Sequence, residues 1–259
     1  MDEGTVAIVL RDRAHDFGEL VRSAPDPDRP VHRSDWSIRE VAKHVMVISE
    51  AYAEYLGGDT TPVVDVHDLA ATNAAAVDRT EEVDVGVIAD RIETATDRFV
   101  ERAGGRGAGA TMQWHGWTTP VDAVRGILLG ELVMHSQDVA GTLDRPWPVT
   151  REDATVILLG TSCVAGHFVD PERSRPDAEF EIRLRSGPAF VLRFEDGRMD
   201  WAEGRADDAD CRVSADPVAL MQVLYARRGQ WPAILQGRLV AFGRKPWLAL
   251  GLSSRFSGF

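Results

Sequence analysis

The sequence predicts two domains, an all-α helical bundle followed by an α+β domain. Up to about residue 170, apolar residues recur at the roughly 3.6-residue spacing of helices, and capping residues, Gly and Pro separate the segments. From Ala178 onward, apolar residues alternate with a period of about two, as in strands that bury one face. We therefore expect a four-helix bundle with an extra connecting helix over 1-170, and an α+β domain over 177-259.

The composition limits what the protein can bind. The 259 residues are 44% hydrophobic and 27% charged, as in a globular chain with a sizeable core. A formal net charge of -12 disfavours nucleic acid and anionic membranes as partners, because their phosphates would be repelled. The sequence shows neither a signal-like segment nor an apolar run of membrane length, and Cys163 and Cys211 resemble reduced thiols. We expect a cytoplasmic monomer or homodimer that binds small molecules.

The first helices have marked ends. Helical spacing over residues 2–23 predicts the first helix, which the Pro-rich APDPDRP segment terminates. Ser37 to Glu40 reads S-I-R-E, a capping box that begins a second helix ending near Leu56. His44 lies on or beside the apolar stripe of this helix, so its imidazole should point inward. Further helices are predicted within 60–80, over 83–103 and over 150–168.

The helix expected from Thr119 to Gly141 carries polar groups on the stripe that should face the bundle interior. Thr119 and Pro120 suit its N-cap and first position. A carboxylate in a core needs a cation or hydrogen bonds to offset desolvation, and Glu131 has His135 four residues further on, on the same face. The predicted inward stripe consists of Val121, Val124, Leu128, Glu131, Leu132, His135, Asp138 and Val139.

The second domain begins with a predicted strand pair, FEIRLRSG and AFVLRFEDG, joined at Gly187-Pro188. RMDWAEG and ADCRVSA are expected as further strands. Asp216-Pro217 is typical of a helix start and predicts a short helix up to Tyr225. GRLVAFG then predicts another strand, and 246–256 suits a terminal helix.

His44, Glu131 and His135 form a candidate metal site. Two imidazoles and one carboxylate suit zinc and leave a fourth position for water or a substrate thiolate, although nickel, iron or manganese would accept the same donors. Asp138, one turn further along, is expected as an outer hydrogen-bonding group. The plainer alternative is a hydrogen-bonded core histidine beside an ordinary Glu–His pair.

Other polar residues have weaker claims to a function. His115, between Trp114 and Trp117, is a candidate for binding a cofactor or substrate at a pocket mouth, or belongs to an aromatic loop packed on the core. Cys163 has no visible activating base and His167 suits an interface, so neither is expected to be catalytic. Three arginines could bind an anionic substrate or remain solvated, namely Arg227, Arg228 and Arg238.

Four segments resemble the mycothiol-dependent maleylpyruvate isomerase family: WSIREVAKHV, GELVMHSQDVAGTLDRPWPV, ADCRVSADPVALMQVL and LQGRLVAFG. The resemblance implies a DinB-like metal-binding bundle and a sterol-carrier-protein-like C-terminal domain. It places zinc on His44, Glu131 and His135 and adds mycothiol or a similar thiol as cosubstrate. Arg238 is the nearest match to an arginine of the C-terminal domain that is implicated in catalysis in this family.

These observations lead to two hypotheses about function. The first is a metal-dependent, thiol-using enzyme, an isomerase or S-transferase, in which zinc activates the thiol for attack on a small electrophile. The alternative is a non-catalytic binding or regulatory protein with a metal in the bundle and an apolar ligand in the C-terminal domain. The family signature covers proteins with different substrates, so the fold does not decide between them.

Overall fold

The structure, a computed structural model, describes residues 2–32, 34–58, 64–107 and 109–257. The chain divides into two units, Met1–Val149 and Thr150–Phe259. No helix within the described ranges is both long enough and apolar enough to cross a bilayer.

Four long helices form the bundle of the first unit, as predicted. They are α1 (Glu3–Arg22), α2 (Ile38–Gly57), α4 (Val85–Ala103) and α5 (Val121–Thr142); a 3-10 turn (Val66–Asp68) and α3 (Leu69–Arg79) lie between α2 and α4. Both α1 and α2 pack against α4 and α5. The apolar stripes meet in a core whose side chains are completely buried, since Leu10, Phe17, Phe99 and Leu128 are all 0% exposed.

Local sequence determines where α2 begins. The Ser37 side chain accepts a hydrogen bond from the Glu40 amide, and the Glu40 carboxylate accepts one from the Ser37 amide at 2.7 Å. This is the predicted capping box, and it satisfies two N-terminal amides that the helix itself leaves without a partner.

A small hairpin precedes α5, so the expectation of a purely helical first domain is wrong in this detail. β1 (Thr111–Trp114) pairs antiparallel with β2 (Trp117–Pro120), with Trp114 opposite Trp117. Thr119 is paired with Met112 in this hairpin and does not cap α5, which begins at Val121. The Thr- and Trp-rich segments favour strands, and cross-strand pairing outweighs the local helix-start signal.

The second unit contains a five-stranded sheet. Its strands are β3 (Ala178–Leu184), β4 (Ala189–Glu195), β5 (Arg198–Glu203), β6 (Cys211–Ala215) and β7 (Leu239–Phe242). Their order in the sheet is β5-β4-β3-β6-β7. The predicted hairpin is formed by β3 and β4, and β3 also pairs in parallel with β6.

The helices of the second unit are α6 (Arg151–Val164), α7 (Pro217–Leu224) and α8 (Gln230–Leu235), with a 3-10 turn (Ala165–Phe168) after α6. The predicted terminal helix over 246–256 is wrong, because that segment forms two 3-10 turns, Pro246–Gly251 and Ser253–Arg255. Gly251 lies within this segment and lowers its helix propensity.

The placement of α6 differs from the sequence-based domain limits. The sequence analysis includes this helix in the first domain, 1-170, whereas α6 packs against α7 within the second unit. Burial of Ile157 and Leu158, which are 0% and 1% exposed, stabilises α6 in that unit. The limits 1-170 and 177-259 for the two family domains remain a prediction.

Candidate metal centre

Two neighbouring helices carry the predicted donors. His44 lies in the second turn of α2 and is 6% exposed. Glu131 and His135 lie one turn apart on α5, which packs against α2. The helical period brings Glu131 and His135 to one side of α5, and helix packing brings His44 opposite them.

The three side chains converge on one carboxylate oxygen. Glu131 Oε2 lies 3.4 Å from His44 Nε2 and 3.2 Å from His135 Nε2. One donor atom from each residue lies within 4.8 Å of the other two. The imidazole rings of His44 and His135 meet edge to face, with centroids 5.0 Å apart. We call these three residues the donor cluster.

The spacing of the donor cluster fits a tetrahedral zinc ion. Nitrogen and oxygen ligands at about 2.0–2.1 Å from zinc lie about 3.3 Å apart along a tetrahedral edge. The two distances to Glu131, 3.2 and 3.4 Å, agree with that edge. A direct N–H···O hydrogen bond is usually shorter, about 2.9–3.0 Å. The donor types and the two distances to Glu131 therefore fit a zinc site with one position left for a ligand.

The charge states of the donor cluster also suit metal binding. Burial raises the pKa of Glu131, but hydrogen bonds from His135 and His44 outweigh it, so the pKa falls well below its usual value. Burial lowers the pKa of His44, and Glu131 offsets this only in part. The cluster thus presents an ionised carboxylate and a neutral His44 imidazole at neutral pH, the forms that bind metals.

Two further side chains lie against the donor histidines. Asp138 Oδ2 is 3.9 Å from His135 Nδ1, which is longer than a hydrogen bond but within reach of an electrostatic interaction. The Trp36 ring lies 5.0 Å from the His44 ring, centroid to centroid. The sequence predicted a role for Asp138 near His135, whereas it gave no indication of the contact between Trp36 and His44.

The structure places the other candidate residues as follows. His115 lies at the tip of the β1–β2 hairpin, its ring beside Trp114 at 4.7 Å between centroids. Arg238 donates to Asp216 at 2.9 Å within the second unit. Burial raises the pKa of Cys163, which disfavours a thiolate there, and His167 is exposed on a 3-10 turn. The roles of His115 and Arg238 in binding or catalysis stay predictions.

The second unit holds an apolar cavity in the domain where the alternative hypothesis expects an apolar ligand, although the sequence did not single out its lining residues. Its volume is about 310 Å³, and its walls come from α6, α7, β3 and β4. Leu158, Phe190 and Leu220 provide apolar wall, while Thr161 and Tyr225 share a hydrogen bond of 2.7 Å between their hydroxyls. Such a space suits a small, mainly apolar molecule.

Comparison with known sequences now identifies the family. Residues 10–140, half of the chain and all three donors, match the family described as "Mycothiol maleylpyruvate isomerase N-terminal domain". The chain belongs to the mycothiol maleylpyruvate isomerase N-terminal domain family. Among curated protein sequences, none matches this chain.

One solved structure with a TM-score above 0.5 shares this fold. A variant of the mycothiol-dependent maleylpyruvate isomerase has a TM-score of 0.54 and 11% identity over 93% of both chains. Another structure of the same enzyme has a TM-score of 0.47 and 12% identity over 86% of this chain and 88% of that one. The first match confirms the layout of a DinB-like helical bundle followed by a sheet-containing domain.

A third structure, an inverting sec-alkylsulfatase from Pseudomonas sp., has a TM-score of 0.35 and 14% identity. The match covers 54% of this chain but only 25% of that enzyme. Our chain therefore spans about a quarter of the sulfatase, and its activity is not carried over. The likeness of the C-terminal domain to sterol carrier proteins remains a prediction.

Proposed function

We propose that this protein is a metal-dependent enzyme that uses a low-molecular-weight thiol, mycothiol or a close analogue, as an isomerase or S-transferase. One observation carries the proposal, the convergence of His44, Glu131 and His135 within 4.8 Å. Three protein donors with a fourth position open are typical of catalytic zinc sites, whereas structural zinc usually has four protein ligands. Membership of the family and the similarity to a mycothiol-dependent isomerase support the thiol as cosubstrate.

The residues of the cluster would hold zinc and leave the thiol sulfur a place to bind. Bound zinc would lower the pKa of the thiol, so that thiolate is available at neutral pH. In a bound complex Glu131 would supply the negative charge of the site, and each imidazole would donate a nitrogen lone pair. The partial burial of these groups excludes most water, which strengthens their electrostatic interactions with a ligand.

The reaction then follows from thiolate chemistry. The sulfur forms a bond to one carbon of an activated double bond, and the π electron pair moves to the activating carbonyl. Rotation about the new single bond precedes return of that pair and cleavage of the sulfur–carbon bond, which regenerates the thiol and gives a cis-to-trans isomerisation. An S-transferase would retain the new sulfur–carbon bond, so the two reactions share the first step.

Metal content tests this proposal. We expect the purified protein to bind about one equivalent of zinc, as the open three-donor site predicts. The variants His44→Ala and His135→Ala should each bind far less, because two donors hold zinc weakly. Elemental analysis and calorimetry measure both effects and distinguish zinc from nickel, iron or manganese.

The chain offers a matched control for these variants. His15 lies 3.2 Å from Glu93, the same distance as His135 from Glu131, but on the exposed surface. His15→Ala should retain full metal content. Full metal content in His44→Ala and His135→Ala would contradict the proposed site. If the protein binds metal but shows no thiol-dependent turnover of maleylpyruvate or another electrophile, the proposal that it is an enzyme would be contradicted.

The apolar cavity of the second unit favours one alternative, a non-catalytic metal-containing protein that binds an apolar ligand. Its walls are mostly apolar, with the Thr161–Tyr225 hydroxyl pair as a polar end. Thermal stabilisation by fatty acids, together with no response to mycothiol, would support this alternative. Stabilisation of the zinc-loaded protein by mycothiol would favour the enzyme, because a ligand stabilises the state that binds it.

A further inference from the structure

One ring nitrogen of His115, Nδ1, is buried and accepts or donates no hydrogen bond among the residues that the structure describes. Buried polar atoms nearly always have a partner, so one that lacks it calls for an explanation. Packing beside Trp114 and Trp117, with ring centroids at 4.7 and 6.5 Å, accounts for the position of the ring but leaves Nδ1 unsatisfied.

The backbone holds this imidazole in an uncommon conformation. Trp114 pairs with Trp117, so His115 and Gly116 form a two-residue hairpin turn. Their φ angles are 50° and 86°, as in a type I′ turn, where Asn or Gly is preferred at the first position. A histidine there is strained, and strain of this kind is often found at ligand sites.

The hairpin lies on the helices that carry the donor cluster. β1 packs against both α2 and α5. Burial lowers the pKa of His115, and the negative charge of Glu131 acts against this change, so the carboxylate is within electrostatic range of the imidazole. The unpartnered nitrogen and the donor cluster therefore belong to one region of the first unit.

We propose that His115 is a ligand-binding residue, whose Nδ1 forms a hydrogen bond with the small thiol held at the donor cluster. This inference rests on the proposed function and adds to it a protein group that contacts the thiol from the hairpin side. The recognised class is a thiol with a hydrogen-bonding group close to its sulfur. Binding would give Nδ1 the partner that it lacks.

Two substitutions distinguish the effect of losing the Nδ1 hydrogen bond from the effect of disturbing the hairpin turn. Gly and Asn both adopt a positive φ readily, so His115→Gly and His115→Asn should preserve the hairpin. Asn also places a polar atom near the position of Nδ1. In the zinc-loaded full chain, calorimetry with mycothiol should give about tenfold weaker binding for His115→Gly, and a change within about threefold for His115→Asn. The zinc affinity should be unchanged in both.

If His115→Gly binds mycothiol with the affinity of the wild type, the inference about His115 is overturned, while the proposed function still stands. Loss of zinc from His115→Gly would also overturn it, because His115 would then be a metal ligand. Wild-type protein that binds zinc but no mycothiol would refute the proposed function, and the inference with it. In the wild type, the nitrogen resonance of His115 Nδ1 should shift on saturation with mycothiol, and an unchanged resonance would count against the inference without any variant.

Discussion

Glu131 controls the electrostatics of the donor cluster, because one of its oxygens lies between two imidazole nitrogens. Without a cation, the carboxylate accepts hydrogen bonds from His44 and His135 and remains ionised. The same arrangement that stabilises the carboxylate prepares three donor atoms for a metal. The same contacts can thus be read as hydrogen bonds in a core or as part of a metal site. The two distances to Glu131, 3.4 and 3.2 Å, match the edge of a zinc tetrahedron and favour the metal site.

Glu181 in the second unit gives a prediction about pH. It is 0% exposed and accepts hydrogen bonds from Arg183 at 2.5 Å and Arg212 at 3.0 Å. Burial raises the pKa of Glu181, but the two arginines lower it further, so the folded value lies below the unfolded value of 4.5. Its contribution to stability is therefore present above pH 4.5 and is lost as the pH falls below that value.

We expect Glu181→Gln to lower the free energy of unfolding by about 1.5–3 kcal/mol at pH 7, with the difference shrinking below about pH 4.5. Glu179→Gln is the matched control on the same strand, because it removes a more exposed pair with Arg193 and should cost at most about 1 kcal/mol. Urea denaturation between pH 3 and 7 measures both. A pH-independent deficit in Glu181→Gln would refute the assigned titration.

Helix α2 connects a local sequence signal to the site. Its capping box fixes the first turn, and His44 follows in the next one. We expect Ser37→Ala to destabilise the first unit by about 0.5–2 kcal/mol, since the Glu40 amide loses the side-chain oxygen that accepts its hydrogen bond. Ser37→Thr should restore most of this stability, as threonine also caps helices. Chemical denaturation provides the measurement, and equal stability of Ser37→Ala and wild type would show that the cap is dispensable.

Helices whose first residues carry a capping sequence could be predicted from the sequence. Elements that depend on contacts between distant residues could not. The capping residues Ser37, Thr150 and Asp216 mark true helix starts. Thr119 gave the same signal, yet pairing with Met112 placed it in a strand. The parallel pairing of β3 with β6 was also hidden, because it joins residues that are distant in sequence.

The same distinction applies to the site. The spacing of Glu131 and His135 follows from one helical turn, so the sequence predicts their contact directly. The approach of His44 depends on how α2 packs against α5, which spacing cannot determine. The apolar stripe of α2 made His44 a candidate donor, and the family resemblance implied that it joins the pair on α5. The unpartnered Nδ1 of His115 could not be foreseen, because the hairpin that carries it was not predicted.

In the whole molecule, the two candidate sites belong to different units. The donor cluster and His115 lie in Met1–Val149, whereas the apolar cavity and Arg238 lie in Thr150–Phe259. The proposed metal site would therefore take its three protein ligands from the bundle. The division also explains why the family match to residues 10–140 includes the complete donor cluster.

X-ray absorption at the zinc edge tests the central claim most directly. For full-length protein with one equivalent of zinc, we predict nitrogen and oxygen ligands at about 2.0–2.1 Å with the scattering pattern of two imidazoles, and a sulfur at about 2.3 Å after mycothiol is added. A spectrum without imidazole scattering, or one that is unchanged in the His44→Ala, His135→Ala double variant, would contradict the proposed site.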